Sequence, residues 1–130
     1  MNGMESALKG LAQENPGRVA EIAVNAAENR FNRANSEAGK SDAEEVQEAV
    51  DEAKRFMGFG ENIAAIAQGL GKGETTVDQL IARATSIHLD VLAEVYQKVP
   101  EQAKSAIEDA MTKAVIAREN AVERLKGAVL

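Results

Sequence analysis

The sequence predicts an all-α protein: an antiparallel up-down bundle of four long helices, with a short N-terminal helix as an additional element. Alanine is the most frequent residue, and aromatic residues make up only 3% of the chain. This composition favours closely packed helices and leaves few β-branched or aromatic runs for a sheet. Apolar residues recur in alternating steps of three and four along four long segments, the periodicity of a helix face. At 130 residues we expect one domain, residues 1–130.

The first long helix is expected to begin after Asn15. Asn15 is a favourable N-cap, and Pro16 suits the first helical position because its missing N–H has no partner there in any case. A short amphipathic segment, residues 5–14, precedes the cap, and Gly39 is well placed to end the helix. The predicted core-facing positions are Ala20, Val24, Ala27, Phe31, Ala34 and Ala38.

The second long helix follows a capping box, Ser41-Asp42-Ala43-Glu44, whose first and last side chains satisfy free backbone donors. Gly58 and Gly60 weaken this helix by about 1 kcal/mol each relative to alanine. The heptad phase continues across them, so we favour a continuous or mildly bent helix over a break. Two stripes face the core: Ala43, Val46, Val50, Ala53, Met57, Gly60, Ala64 and Ala67, and beside them Ala49, Phe56, Ile63 and Leu70.

The third and fourth long helices meet at Pro100, because the residue before a proline is pushed out of helical conformation. The third is expected to begin at Thr75 or Thr76 and the fourth to run from about residue 100 to 126. The third helix has core positions Val77, Ile81, Ala84, His88, Val91 and Val95, widened by Leu80, Ile87 and Leu92. The fourth has Ala103, Ile107, Ala110, Ala114, Ala117, Ala121, Leu125 and Ala128, widened by Met111, Val115 and Val122.

Similar helix lengths and short connections predict antiparallel neighbours in an up-down bundle. The same apolar pattern also fits an elongated three-helix arrangement or a bundle completed by a second chain.

Charge and composition exclude several classes of protein. The net charge is −6 and the basic residues are scattered, so no basic surface for nucleic acid is predicted. The chain has no cysteine, which excludes disulfides, zinc–thiolate sites and a thiol nucleophile. No apolar run is long enough for a membrane span, and the N-terminus has no visible signal peptide.

The stretch QGLGKGETT, residues 68–76, superficially resembles a phosphate-binding loop. A Walker A motif requires GxxxxGK followed by Ser or Thr, after a strand. Here Gly73 follows Lys72, Ile66 stands where the first glycine belongs, and a helix precedes the loop. We therefore predict a turn between helices.

His88, the one histidine, lies on the apolar face of the third long helix. Di-iron bundles need Glu-x-x-His on two helices, but residue 85 is Thr and there is no second histidine. We expect a structural histidine in the core or at its rim, hydrogen-bonded to a backbone group or a carboxylate. A pH-sensitive packing switch is the alternative. No catalytic, cofactor-binding or metal-binding residues are predicted.

Two polar surfaces are expected to be solvated. Carboxylates concentrate on the first half of the second long helix, where loose cation binding is the alternative: Glu44, Glu45, Glu48, Asp51 and Glu52. The solvent-facing side of the first long helix carries Asn25, Asn29, Arg30, Asn32, Arg33 and Asn35. A polar surface for a protein partner is the alternative interpretation of these residues.

The segment HLDVLAEVYQKVPEQAKSAIEDAM, residues 88–111, resembles the C-terminal half of a family of helical domains of unknown function. The shared pattern is HLxVLxxVxxKVPExAxxxIxxAM; the resemblance covers about residues 76–126, and residues 26–38 loosely resemble the family's first helix. Members occur in exported bacterial and archaeal proteins. The resemblance implies an extracytoplasmic location (periplasmic, envelope or secreted) and supplies no enzymatic residues; without it, a cytoplasmic location is expected.

These observations favour a non-enzymatic helical domain that acts as a structural or protein-interaction module. A protein partner or self-association is expected, and no small-molecule substrate is evident. The alternative is a pH- or cation-responsive sensing or regulatory domain. The hypothesis of an enzyme is the least favoured. A small molecule bound in a polar pocket lined by His88 would support it.

Overall fold

A computed structural model of the protein describes residues 2–40, 42–69 and 75–129, and the described residues form five helices and no strand. The helices are α1 (Asn2–Ala12), α2 (Pro16–Gly39), α3 (Ala43–Gly69), α4 (Thr75–Lys98) and α5 (Glu101–Val129). The predicted all-α bundle is confirmed, including its short N-terminal helix. None of the described helices combines the length and apolarity that a membrane span requires.

The ends of the long helices follow the predicted capping pattern only in part: Asn15 caps α2 as predicted, whereas Gly39 ends α2 without a left-handed conformation and Asp42, which was not predicted to do so, caps α3. The Asn15 side chain accepts a hydrogen bond from the backbone N–H of Arg18 at 3.2 Å. At the start of α3, Asp42 accepts one from the backbone N–H of Glu45 at 3.1 Å. The predicted capping role of Ser41 and the predicted turn at residues 70–74 lie outside the described residues.

The long helix α3 runs without a break past both of its interior glycines, as predicted. A methyl group on Gly60 would lie 3.6 Å from the Val24 side chain and 3.8 Å from that of Ala23, so this glycine faces α2 closely. A methyl group on Gly58 would meet nothing within 4 Å. Packing therefore accounts for a small residue at position 60 and leaves Gly58 unexplained.

The four long helices form two antiparallel hairpins, α2/α3 and α4/α5, which pack side by side. α2 lies along α4 in the same direction, since Asn35 near the end of α2 is hydrogen-bonded to Glu94 and Lys98 near the end of α4, at 2.8 and 2.9 Å. α3 lies along α5 in the same way, with Lys54 bonded to Asp109 at 2.8 Å.

This arrangement places α3 and α4 on a diagonal, where they contact each other only slightly, and α1 packs on α2 and α3. Consecutive long helices are thus close neighbours within each hairpin but not between the hairpins. The wide apolar face of α3 therefore packs against α2 and α5 rather than against α2 and α4.

The core consists mainly of alanine, valine and isoleucine. Every predicted core position of α2 is buried, as are those of α3 and α4 whose side chains are described, apart from half-buried Ala43 and Val91. Two residues predicted to widen the core are exposed, Ile87 at 42% and Val115 at 40%, because they lie at the edges of their helices' apolar faces. Ala67, Leu70 and Ala128 have no described side-chain environment.

Candidate functional site

His88 lies in the bundle core, as the apolar pattern of α4 predicts. Its side chain is 0% exposed, and its ring packs against that of Phe31 on α2. The two ring centroids are 4.7 Å apart, with a tilt of 47° between the planes. The imidazole is therefore part of the contact between α2 and α4.

Neither ring nitrogen of His88 has a hydrogen-bond partner among the described residues. The expected bond to a backbone group or a carboxylate is absent, because the ring faces apolar neighbours such as Phe31. The buried Thr85, one turn earlier on α4, differs: its hydroxyl donates to the carbonyl oxygens of Ile81 and Ala82, at 2.7 and 3.1 Å. A threonine hydroxyl can donate to a backbone carbonyl of its own helix, whereas an imidazole needs a partner on a neighbouring element.

Burial sets the charge of the imidazole. Desolvation lowers the pKa of His88 from 6.5 to about 4, since the charged form loses its hydration. The ring is therefore neutral near neutral pH. A neutral imidazole carries one N–H donor and one nitrogen acceptor, and here both functions are free.

A cleft of about 350 Å³ opens between α3 and α5 and leads toward this ring. It is lined by Phe31, Lys54, Met57, Gly58, Glu61, His88, Ala110, Lys113, Ala114, Ile116 and Ala117. Its inner end is made of the buried Phe31, His88, Ala110 and Ala117. Because the imidazole is 0% exposed, the cleft ends just short of it.

The rim of the cleft carries charged groups that are already paired. Lys54 donates a hydrogen bond to Asp109 at 2.8 Å, and Lys113 lies 3.5 Å from the same carboxylate. The bond to Asp109 raises the pKa of Lys54, and the bond to Lys54 lowers the pKa of Asp109. On the same helix as Lys54, burial raises the pKa of Glu61, and the charge of Arg124 opposes this shift.

Small residues form the two facing walls of the cleft. Gly58 lies on the α3 side, and Ala110, Ala114 and Ala117 lie on the α5 side. Ile116 at the rim is 51% exposed, although it is large and apolar. The result is a narrow, mostly apolar slot with charged groups at its mouth and an unpaired imidazole behind its inner end.

Two of the five carboxylates in the predicted acidic surface of α3 are tied to α2 by ion pairs. Arg33 pairs with Glu45, and Arg30 lies 3.1 Å from Glu52. Glu44, Glu48 and Asp51 are exposed. Among the described residues, no group of three or more His, Asp or Glu side chains is placed to hold a metal ion.

The polar side of α2 serves two different purposes. Asn25, Asn29 and Asn32 are exposed, as expected for a solvated face. Asn35 instead bridges α2 to α4 through Glu94 and Lys98.

Of the cleft residues, sequence reasoning identified only His88 as a candidate functional side chain. The other charged or exposed cleft residues were not predicted to contribute: Lys54, Glu61, Lys113 and Ile116. They come together only because α3 packs beside α5, and this pairing of helices is not visible in the sequence. The one available signal was Gly58, a helix-weakening residue inside a long helix.

The chain is an all-α bundle of two helical hairpins. A buried histidine lies between the hairpins and has no hydrogen-bond partner among the described residues. No protein-family model, no curated protein sequence and no solved structure matches this chain. The resemblance of residues 76–126 to a family of exported helical domains stays a prediction.

Proposed function

We propose that this chain is a non-enzymatic helical interaction module whose packing responds to the state of His88. The observation that carries the proposal is the fully buried imidazole beside the α3/α5 cleft, with no hydrogen-bond partner for either ring nitrogen among the described residues. The stability of the bundle therefore depends on whether this imidazole is protonated and on whether its nitrogens form hydrogen bonds.

The surroundings of His88 support a binding role over catalysis. A catalytic histidine is normally oriented and tuned by a carboxylate or hydroxyl partner. Among the residues that the structure describes, His88 has no such partner, and its neighbour Phe31 cannot take a proton.

Protonation of His88 opposes folding, and the sign follows from the direction of its pKa shift. The pKa is lower in the folded protein, about 4, than in the unfolded chain, 6.5. The folded state therefore keeps its full stability above pH 6.5 and loses stability as the pH falls toward 4. The full shift corresponds to about 3 kcal/mol of unfolding free energy.

Other titratable groups around the imidazole do not reproduce this response. The charged residues that line the cleft with it are Lys54 and Glu61 on α3 and Lys113 on α5, while α2 contributes Phe31. The lysines stay charged throughout this pH range. Asp109 at the rim acts in the same direction as His88, because its pKa is lowered, but its contribution is lost mainly below the ordinary pKa of 3.8, at lower pH than that of His88. The raised pKa of Glu61 acts in the opposite direction, because the folded state then favours the protonated carboxyl group as the pH falls.

The test compares wild type with His88→Leu by denaturant unfolding at pH 7.5, 6, 5 and 4. We expect wild type to lose about 3 kcal/mol more unfolding free energy than the variant between pH 7.5 and 4. At pH 7.5 the variant should be at least as stable, because it removes two unpaired polar atoms. Glu61→Gln is the matched control and should keep the loss due to His88. Parallel pH profiles for wild type and His88→Leu would contradict the proposal.

A further inference from the structure

The α3/α5 cleft has a polar end that the protein does not use. Both hydrogen-bonding functions of the neutral His88 ring are buried and unpaired, which costs folding free energy that a leucine or phenylalanine would not. The ring belongs to the lining of the cleft, although its side chain is 0% exposed. An unpaired buried polar group behind an open cleft is the arrangement expected of a binding site whose ligand supplies the partner.

Gly58 forms part of the α3 wall of this cleft. Glycine weakens a helix interior, yet a methyl group here would meet nothing within 4 Å. Close helix packing therefore does not require it, in contrast to Gly60, which faces Ala23 and Val24. What Gly58 does is keep one wall of the cleft free of a side chain, opposite Ala114 and its neighbours on α5.

The shape and charges of the cleft define the ligand. The cleft of about 350 Å³ has room for a small aromatic ring, and Phe31 and Met57 supply apolar and aromatic contacts. The two ammonium groups at the rim, those of Lys54 and Lys113, are balanced by the carboxylates of Asp51 and Asp109, so no strong charge is left for an ionic ligand. The apolar inner end disfavours any charged group.

We propose that the cleft between α3 and α5 binds a small, neutral aromatic molecule that carries a hydroxyl group. Its ring lies between the glycine and alanine walls, and its hydroxyl group is hydrogen-bonded to a ring nitrogen of His88. A hydroxyl group both donates and accepts, so it pairs with whichever nitrogen it meets. Met57 lines the cleft and is almost fully buried; its unbranched, flexible side chain can move to let the hydroxyl group reach the ring.

This inference goes beyond the proposed pH response and does not depend on its outcome. Ligand binding uses the neutral imidazole and is measured at pH 7.5, whereas the pH response concerns the charged form. A flat pH profile would leave the ligand site intact, and failure to bind a ligand would leave the pH response intact.

The test uses 4-methylphenol as the probe and toluene, which lacks only the hydroxyl group, as its matched control. Because the chain has one histidine, long-range proton–nitrogen NMR reports its two ring nitrogens without overlap. At pH 7.5, 4-methylphenol should shift a His88 ring nitrogen and bind at least about tenfold more tightly than toluene, as for one added hydrogen bond.

Two variants complete the experiment. His88→Phe should bind both compounds with the affinity that wild type has for toluene, and Gly58→Leu should weaken both equally by filling the slot. The wild-type measurement alone can overturn the proposal, so it does not depend on either variant folding. Equal affinity for the two compounds, no shift of the His88 nitrogens at saturation, or no binding of either compound would overturn it.

Discussion

His88 and Thr85 show what one sequence pattern can and cannot predict about a buried polar residue. Both lie on the core-facing side of α4, and both are fully buried. The apolar periodicity predicts the burial of His88, since its position belongs to the same seam as Ala84 and Val91. It does not predict whether a partner is present, because that depends on which side chain the neighbouring helix places opposite the ring. Here α2 places Phe31 there.

Large apolar residues at the edge of a predicted face are uncertain in a similar way. Ile87 and Val115 fit the helical period as well as buried Leu92 does, yet both are exposed. Their burial depends on whether a neighbouring helix covers them. The apolar period of a single helix does not indicate where its neighbours lie.

Gly58 provides a prediction at the residue scale. Replacing it with alanine should stabilise the protein by about 1 kcal/mol, because helix propensity improves. The new methyl group meets no other atom within 4 Å, so no strain opposes the gain. Denaturant unfolding of wild type and Gly58→Ala measures the difference. A loss of stability would show that Gly58 has a packing role in the bundle, which would contradict our argument that it serves the cleft.

Helix ends were the most predictable features at the scale of elements. Asn15 with Pro16 places the start of α2, and Pro100 places the junction between α4 and α5. Each signal acts within a few residues of the chain and needs no tertiary contact, which is why the sequence is sufficient. The continuity of α3 is a similar case, because two glycines cost less than the contacts that its two apolar stripes form.

The cap at the start of α3 can be tested directly. Asp42 accepts a hydrogen bond from the backbone N–H of Glu45, a donor with no partner inside the helix. Asp42→Ala should cost about 1 kcal/mol of unfolding free energy, while Asp42→Asn, which keeps the acceptor, should cost much less. Equal losses for the two variants in denaturant unfolding would show that the side-chain hydrogen bond does not stabilise α3.

At the scale of the molecule, the pairing of helices was the least predictable feature. The apolar stripes of the four long helices are alike, so several arrangements bury them equally well. Specific polar contacts distinguish the observed arrangement. Asn35 near the end of α2 donates to Glu94 near the end of α4 at 2.8 Å, and Lys54 of α3 donates to Asp109 of α5 at 2.8 Å. Such contacts involve residues far apart in sequence and leave no local pattern.

The candidate site is a consequence of that pairing. Two hairpins packed side by side leave α3 and α5 joined by fewer contacts than α2 and α3 or α4 and α5. The cleft opens along this weaker contact, and the histidine of α4 lies behind it. The sequence indicated the histidine and the glycine separately, and only the packing of the helices shows that they belong to one site.

The pKa of His88, measured by NMR titration of its imidazole, tests the central claim most directly. A buried, unpaired ring should titrate at about 4 and keep the nitrogen shifts of neutral imidazole from pH 8 down to pH 5. Unfolding must be monitored on the same samples, so that only the folded signal is followed. A titration midpoint at 6.5 or above would show that the ring is solvated or paired with an acceptor, and this would contradict the pH response that we propose for the buried, unpaired imidazole.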